Sequence, residues 1–254
     1  DDRAIGVKMV DGNCLYADSI ISNAGVVNTF TKLLPEAISD KFGYRDRVQS
    51  LATSMSHGGM YIGLRGTADE LQLPKTNLWI YLDQHHDDNV AALRKDPSAP
   101  LPLVYVSFPS AKDPDFQRRH PGRSTIEIVI GPCDFEQYRQ WADKTWGKRG
   151  DDYEALKADL SERMLAALYK QLPHLRGKIE YSEVSTPLST SHFCRYKQGE
   201  AYGLAHTKAR FEQHWLAPKT RVQGLYLTGQ DLISCGVVGA LMAGMVTAMS
   251  VVGL

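Results

Sequence analysis

The stretch with the clearest chemical potential lies near the end of the chain. Leu225-Tyr226-Leu227 reads as a short apolar strand, Thr228-Gly229-Gln230-Asp231 as a polar turn, and a glycine-rich helix is predicted to begin near Gly236. The first turn of a helix carries unpaired N–H groups and partial positive charge. Such amides suit the phosphate or pyrimidine oxygens of a bound cofactor. An Asp just ahead of them can accept hydrogen bonds from sugar or ribityl hydroxyls. The same pattern also occurs as a strand–turn–helix used only for packing, and spacing alone leaves both readings open. Gly236, Ala240, Gly244 and Ala248 recur at every fourth position, a ladder of small side chains that lets a backbone or a flat ligand approach closely.

Other groups carry less. Neither G-x-S-x-G nor G-x-x-x-x-G-K-[ST] occurs, so acyl-hydrolase and P-loop chemistry have no local support. His85-His86-Asp87-Asp88 has metal-binding residue types, but adjacent side chains on an extended chain point apart; a solvated loop is expected there and no metal site is predicted. His206 and His214 lack H-E-x-x-H spacing, and His57 and His192 read as structural. Glu127, Glu180 and Glu183 could donate protons, yet nothing separates them from strand-edge carboxylates, so no catalytic acid or base is assigned. Trp141 and Trp146 read as packing under a helix. The cysteines at 14, 133, 194 and 235 form no C-x-x-C pair, which argues against a zinc site or disulfide framework and fits a reducing compartment.

The elements that must position these residues read as mixed α and β. Short helices are predicted over 28–34, ending before Pro35, and over 36–51. Strands are predicted over 59–64, 77–82, 103–108 and 124–130. In the last of these Ile126, Ile128 and Ile130 face one way and Glu127 and Val129 the other. A short helix is expected over 88–94. The longest runs over 152–172, where Tyr153, Leu156, Leu160, Met164, Ala167, Leu168 and Leu172 fall at spacings of three and four before Pro173 stops it.

Composition bounds the partners. Twenty-nine Lys and Arg balance 29 Asp and Glu, which argues against a nucleic-acid binder. At 43% hydrophobic and 23% charged residues, the chain can bury a core and is not disordered as a whole. The chain opens without a basic n-region or an apolar h-region and reads from its start as the middle of something longer. Residues 5–10, Asp11-Gly12 and residues 13–21 look like strand, tight turn, strand. From Leu232 to Leu254 there are 23 residues without a charge, enough to span a bilayer; the polar turn ahead and the glycines within favour a buried helix.

Several of these segments resemble one protein family. Gly224-Leu225-Tyr226-Leu227-Thr228-Gly229-Gln230-Asp231, followed by Cys235-Gly236-Val237-Val238-Gly239-Ala240-Leu241, is similar to the C-terminal flavin motif of retinol saturases. These belong to the carotenoid desaturase and isomerase branch of FAD-dependent amine-oxidase-like proteins. Arg195 to Gly203 resembles that branch's Arg…Gly…Tyr-Gly segment, and Pro109 to Pro114 its serine- and Asp-Pro-containing loop. Ala17 to Ala24 resembles the strand that returns to the FAD domain. The similarity is scattered over nearly the whole chain, but the G-x-G-x-x-G that cradles the FAD pyrophosphate is missing. The resemblance implies that it lies upstream of Asp1.

The implied fold is the C-terminal portion of a two-domain α/β flavoprotein. Residues 1–24 and 204–254 would be segments of a Rossmann-like FAD domain, and 25–203 a substrate domain built on a mixed sheet with helices on one side. Gly229, Gln230, Asp231, Gly236, Val237, Val238, Gly239 and Ala24 would contact FAD, and Tyr202 and Gly203 would approach from the substrate side. The implied activity is redox chemistry on C=C or CH–CH bonds of an apolar polyene isoprenoid: saturation, desaturation or isomerisation. The chain alone is expected to be inactive and to need its N-terminal half. A cytoplasmic or peripheral-membrane location is expected, with contact through apolar patches. Two rivals stay open: flavin-dependent amine oxidation, for which Tyr196 and Tyr202 could frame the flavin, and a non-catalytic domain that binds an apolar ligand.

Overall fold

The computed structural model describes residues 2–254. It is a mixed α/β structure with three sheets, divided into two compact units. One comprises Asp1–Ser54, Cys194–Tyr196 and Glu200–Leu254, the other Met55–Phe193 and Lys197–Gly199. The first opens with a hairpin of β1 (Gly6–Lys8) and β2 (Cys14–Tyr16). Its turn is wider than the expected two-residue type. Met9 N donates to Asn13 O at 2.8 Å, the Asp11 carboxylate accepts from Asn13 N, and of the turn pair Asp11-Gly12 only Gly12 has positive φ, at +91°. The second arm also ends early: β3 (Ile20–Ser22) leaves the hairpin for another sheet. α1 (Val26–Asn28) continues into a wider π-helical turn over Thr29–Leu33, closed by Leu34 N on Thr29 O and stopped by Pro35. The single helix expected over 36–51 is two, α2 (Glu36–Lys41) and α3 (Tyr44–Gln49), because Gly43 adopts left-handed geometry at φ +66°.

The second unit is organised by five strands: β4 (Ser56–Arg65), β5 (Leu78–Tyr81), β6 (Leu103–Ser107), β7 (Arg123–Cys133) and β8 (Ile179–Ser185). Their order is β5-β6-β7-β4-β8, and every pairing is antiparallel, not the mixed sheet the sequence suggested. Alternation decides the faces. Met60, Ile62 and Leu64 of β4, Val104 and Val106 of β6, and Ile126, Ile128 and Ile130 of β7 turn inward. Between the strands lie α4 (His86–Lys95), α5 (Pro109–Lys112) and α6 (Phe116–Arg119). Against the inner face packs α7 (Asp151–Gln171), which buries Tyr153, Leu160, Met164 and Leu168, with Leu156, Ala167 and Leu172 partly covered. Each such aliphatic side chain stabilises the unit by roughly 1.5–3 kcal/mol when fully buried. α8 (Pro187–Cys194) follows β8.

The chain then completes the first unit with α9 (Lys208–Phe211), β9 (Leu225–Leu227) and α10 (Gly236–Val252). β9 pairs in parallel with β3, Ile20 opposite Leu225 and Ser22 opposite Leu227. The core of this unit collects Val26, Phe30, Tyr44, Val48 and Leu51 with Leu204, Val222, Leu225 and Leu227. Residues 25–54 therefore pack with the first unit, past the expected junction at residue 24. Phe30 stacks on Tyr44 at 4.0 Å, and Arg221 N donates to the Tyr44 hydroxyl at 2.7 Å. The buried stripe of α10 is Gly239, Ala243 and Thr247, one position away from the predicted small-residue ladder. The Thr247 hydroxyl reaches Leu227 O at 2.8 Å, which fixes that rotation. At 17 residues α10 is about 26 Å long, and among the described residues no helix is long and apolar enough to cross a membrane.

Candidate functional site

The parallel pairing brings the C-terminal ends of β3 and β9 side by side, and Thr228 N donates to Ser22 O at 2.9 Å. The turn after β9 is therefore pressed against the turn after β3. Gly229 adopts φ +100°, which favours glycine, and a Cβ there would also overlap Asn23 Oδ1. Two residues on, Asp231 is 3% exposed. Its Oδ2 accepts from Val26 N at 2.9 Å and its Oδ1 from Leu204 N at 2.8 Å. The carboxylate thus sits at the positive start of α1 and ties three distant segments together. Gly203 leaves room for it, since a Cβ there would overlap Oδ1.

A guanidinium completes the corner. Arg210 is buried, and its Nη2 donates to the carbonyls of Gln230 and Asp231, both at 2.9 Å. Burial lowers the Arg210 pKa from its ordinary value, and the nearby Asp231 opposes that shift. Tyr196 packs over Gly25, where a Cβ would lie 3.0 Å from its ring. Burial pushes the Tyr196 phenol up, and a hydrogen bond with the Gln230 side chain opposes the rise.

The start of α10 is built differently. Its N-cap residue Cys235 makes no side-chain cap, and Cys235 N donates to His206 Nε2 at 2.9 Å. A Cβ built on Gly236 meets nothing within 4 Å. Val237 is 85% and Val238 73% exposed. The first-turn amides therefore open outward without a side-chain cap, as a free positive end. Gly239 faces the other way, since a Cβ there would overlap Ser234 O. Beside β3 runs a mostly apolar groove of about 530 Å³, lined among others by Ile5, Ile20, Asn23, Ala24, Leu33 and Ile38.

The predicted residues thus fall into three places. Gly203, Gly229, Gln230 and Asp231 converge in the corner; Gly236, Val237 and Val238 form the open helix end; Ala24 lines the groove. Tyr202 is 40% exposed, with its N–H on the Ser54 hydroxyl at 2.9 Å. In the ladder of Gly236, Ala240, Gly244 and Ala248 a Cβ on either glycine meets nothing within 4 Å, so no backbone approaches that face; the buried positions are Gly239 and Ala243. Arg210 and His206 were missed. Neither sits in a motif, and each acts through a partner more than 19 positions away. Among the described residues no group of three or more His, Cys, Asp or Glu could hold a metal; His85 N instead donates to the Asp83 carboxylate at 2.7 Å.

The second unit has its own candidate surface. With Met60, Ile62 and Leu64 turned inward, Tyr61 of β4 faces the opposite side, as do Trp79 and Tyr81 of β5. Trp79 and Tyr105 are in ring contact at 4.7 Å. Glu127 stands opposite Tyr61 in register. Burial lowers the His57 pKa against the opposing charge of Glu127.

The open helix end and the parallel strand pair belong to one unit of a mixed α/β fold, and the exposed aromatic sheet face to the other. An oxidoreductase from Methanosarcina mazei matches the fold with a TM-score of 0.50 at 16% identity, over 98% of this chain and 46% of its own. No protein-family model matches the sequence. The all-trans-retinol 13,14-reductase of Rattus norvegicus is 36% identical over 249 residues, which is 94% of this chain and 41% of that protein. A phytoene desaturase of Neurospora crassa is 25% identical over 225 residues, 88% of this chain and 35% of its own length. The chain is a retinol saturase-like and carotenoid desaturase-like sequence that spans about two fifths of the length of the reductases it matches.

Proposed function

We propose that the chain is the C-terminal part of an FAD-dependent oxidoreductase acting on C=C or CH–CH bonds of a polyene isoprenoid. The observation that carries this reading is the uncapped start of α10, which the chain reaches through the turn that leaves β9. The residues present fit one edge of a flavin. Gly236, Val237 and Val238 offer free amides to pyrimidine or ribityl oxygens, and the space over Gly236 admits a flat ring. Gly229, Gln230 and Asp231 hold the turn that faces the ribityl and phosphate region, Ala24 lies where the chain leaves β3, and Gly239 keeps the helix seated. In this reading Tyr202 and Gly203, which pack with the first unit, approach the flavin from the substrate side.

Bound FAD supplies two-electron chemistry at the polyene. The chain's own residues position and shield. Asp231 rigidifies the corner through Val26 and Leu204, and Arg210 fixes the Gln230 and Asp231 carbonyls. The outward sheet face that carries Tyr61, Trp79, Tyr81 and Tyr105 offers aromatic side chains to an apolar conjugated chain. In this reading 1–24 and 204–254 are FAD-domain segments and 25–203 supplies the substrate side, with 25–54 docked on the former.

The remainder of the FAD domain belongs upstream. A two-stranded parallel sheet is foreign to soluble proteins unless further strands and helices cover it, and the groove along β3 supplies the space. Val237, Leu241 and Val252 stay exposed on α10 for the same reason. Contact with a membrane surface, where a polyene dissolves, is part of the proposal.

The test uses the chain alone and the chain extended upstream to its relatives' length. The extended protein should purify with FAD, and its flavin absorbance should change anaerobically with a retinoid or carotenoid but not with an amine. The 254-residue chain should leave added flavin unquenched. Absence of flavin from the extended protein, or a response to amines alone, overturns the reading; tight stoichiometric binding by the short chain overturns the missing-half part of it.

A further inference from the structure

In the second unit, outside the residues of the proposed flavin site, Arg149 is buried without a counter-ion. It is 6% exposed, and its Nε has no hydrogen-bond acceptor. Its guanidinium carbon lies 5.1 Å from the Trp146 ring centre and 5.2 Å from that of Tyr153. Among the described residues no carboxylate forms an ion pair with it. The nearby Asp152 is used elsewhere, its Oδ2 accepting from Trp141 Nε1 at 2.8 Å. The Tyr153 hydroxyl is likewise engaged, with Thr186 Oγ1 at 2.7 Å. A guanidinium stays charged at every accessible pH, and a buried charge is costly unless it is paired and hydrogen-bonded. Two aromatic faces stabilise it only in part. Lys144, whose Nζ donates to Arg149 O at 3.0 Å, adds positive charge next to it.

The surroundings define what could complete it. Trp146 stacks on His192 at 4.6 Å with 18° between planes, and Phe193 meets Trp146 edge-on at 4.8 Å. Phe193 is 68% and Trp146 37% exposed, and the 70° between their planes makes the cluster an angled, accessible aromatic edge bordering the buried cation.

We propose that Arg149 anchors the carboxylate of a planar conjugated acid whose flat body packs on the exposed Phe193 ring beside Trp146. The guanidinium's fork matches a carboxylate in two parallel hydrogen bonds, and Phe193 supplies the ring contact. The proposal does not rest on the flavin reading, because no residue is shared.

Calorimetric titration of the 254-residue chain tests it, with naphthoate as the probe, naphthalene-methanol as the uncharged control and inorganic phosphate as the bare oxyanion. Naphthoate should bind saturably with a Kd of about 1 mM or tighter, ahead of both controls. Arg149→Met should weaken it at least about tenfold, the loss of one charge-assisted hydrogen bond or more. Phe193→Ala, at an exposed position, should weaken it severalfold with the fold intact. If Arg149→Met does not fold, Phe193→Ala and the two controls still decide. No saturable binding, equal binding of the neutral probe or of phosphate, or unchanged affinity in either folded variant overturns the proposal.

Discussion

The two units solve the same problem, covering a sheet, in opposite ways. The Met55–Phe193 unit carries five consecutive antiparallel strands with one face closed by α7, so its core is supplied from within. The other unit is assembled from the two ends of the chain. Its sheets are one hairpin and one parallel pair, and its longest helix, α10, leaves Leu241 71% exposed and Val237 85% exposed. The difference teaches where folding information resides. A self-contained core is written in local periodicity, whereas a core made of distant segments is written in single residues such as Gly229, Asp231 and Thr247 that join them.

The sharpest way to break this comparison is to remove matched aliphatic groups. Leu168 is fully buried against the five-stranded sheet, and Leu168→Ala should cost about 2–5 kcal/mol, the usual loss for a core leucine. Leu241→Ala on α10 should change the stability of the chain by no more than about 0.5 kcal/mol. Chemical denaturation of both variants checks this. A large loss for Leu241→Ala would mean that the exposed face of α10 is already covered in solution, by self-association or otherwise. In the extended protein proposed above, the same substitution should become costly.

Removing the joint in the end-assembled unit comes next. Asp231→Ala takes away a carboxylate that accepts from Val26 N and Leu204 N and leaves two buried amides unpaired. The expected loss is about 2–4 kcal/mol. Asp231→Asn, with one oxygen in place of two, should fall between. Amide exchange would show the loss at α1 and near Leu204 while β4 and β7 stay protected. A uniform loss over both units would contradict their separate cores.

Legibility in the sequence follows the same division. The spacing of Tyr153, Leu160, Met164 and Leu168, with Pro173 behind them, read as a helix because one continuous stripe meets one surface. β7 was visible through its alternating isoleucines and proved longer than expected, Arg123–Cys133. What escaped notice had no local period. Gly43 breaks a helical pattern through its backbone angle alone. The parallel pairing of β3 with β9 joins residues some 205 positions apart. The small-residue ladder on α10 was visible, but its rotation was not: four-residue spacing fits two adjacent stripes, and the hydrogen bond from Thr247 to Leu227 selects the other one. In the candidate site, Gly229 and Asp231 stood out by type and Gly203 only through the family resemblance, and Gly203 meets the Asp231 carboxylate in space. Arg210 and His206 carry no motif and are recognised only through the backbone groups they bind.

The smallest expected effect separates the units by pH. Burial holds His57, in the five-stranded unit, below its ordinary pKa, with Glu127 opposing. Burial, reinforced by Arg210 and opposed by Asp231, does the same to the more exposed His206 in the other unit. A histidine whose folded pKa is depressed favours the neutral form in the native state. Below the ordinary value of about 6.5 the unfolded chain takes up the proton first. The contribution to stability is therefore full above that pH and is lost as pH falls through the depressed folded value. For His206 the geometry adds a reason, because protonated Nε2 can no longer accept from Cys235 N, and the start of α10 should loosen in acid. Thermal melts between about pH 5 and 7 should fall with acid, and His57→Gln should flatten that slope more than His206→Gln, since the more buried ring loses more on charging. Amide exchange at Cys235 should respond to acid in the wild type and not in His206→Gln, whose amide oxygen accepts at any of these pH values. If Cys235 is equally protected at both ends of the range in the wild type, His206 does not govern the helix start, and the opening of that end is a fixed property of the fold.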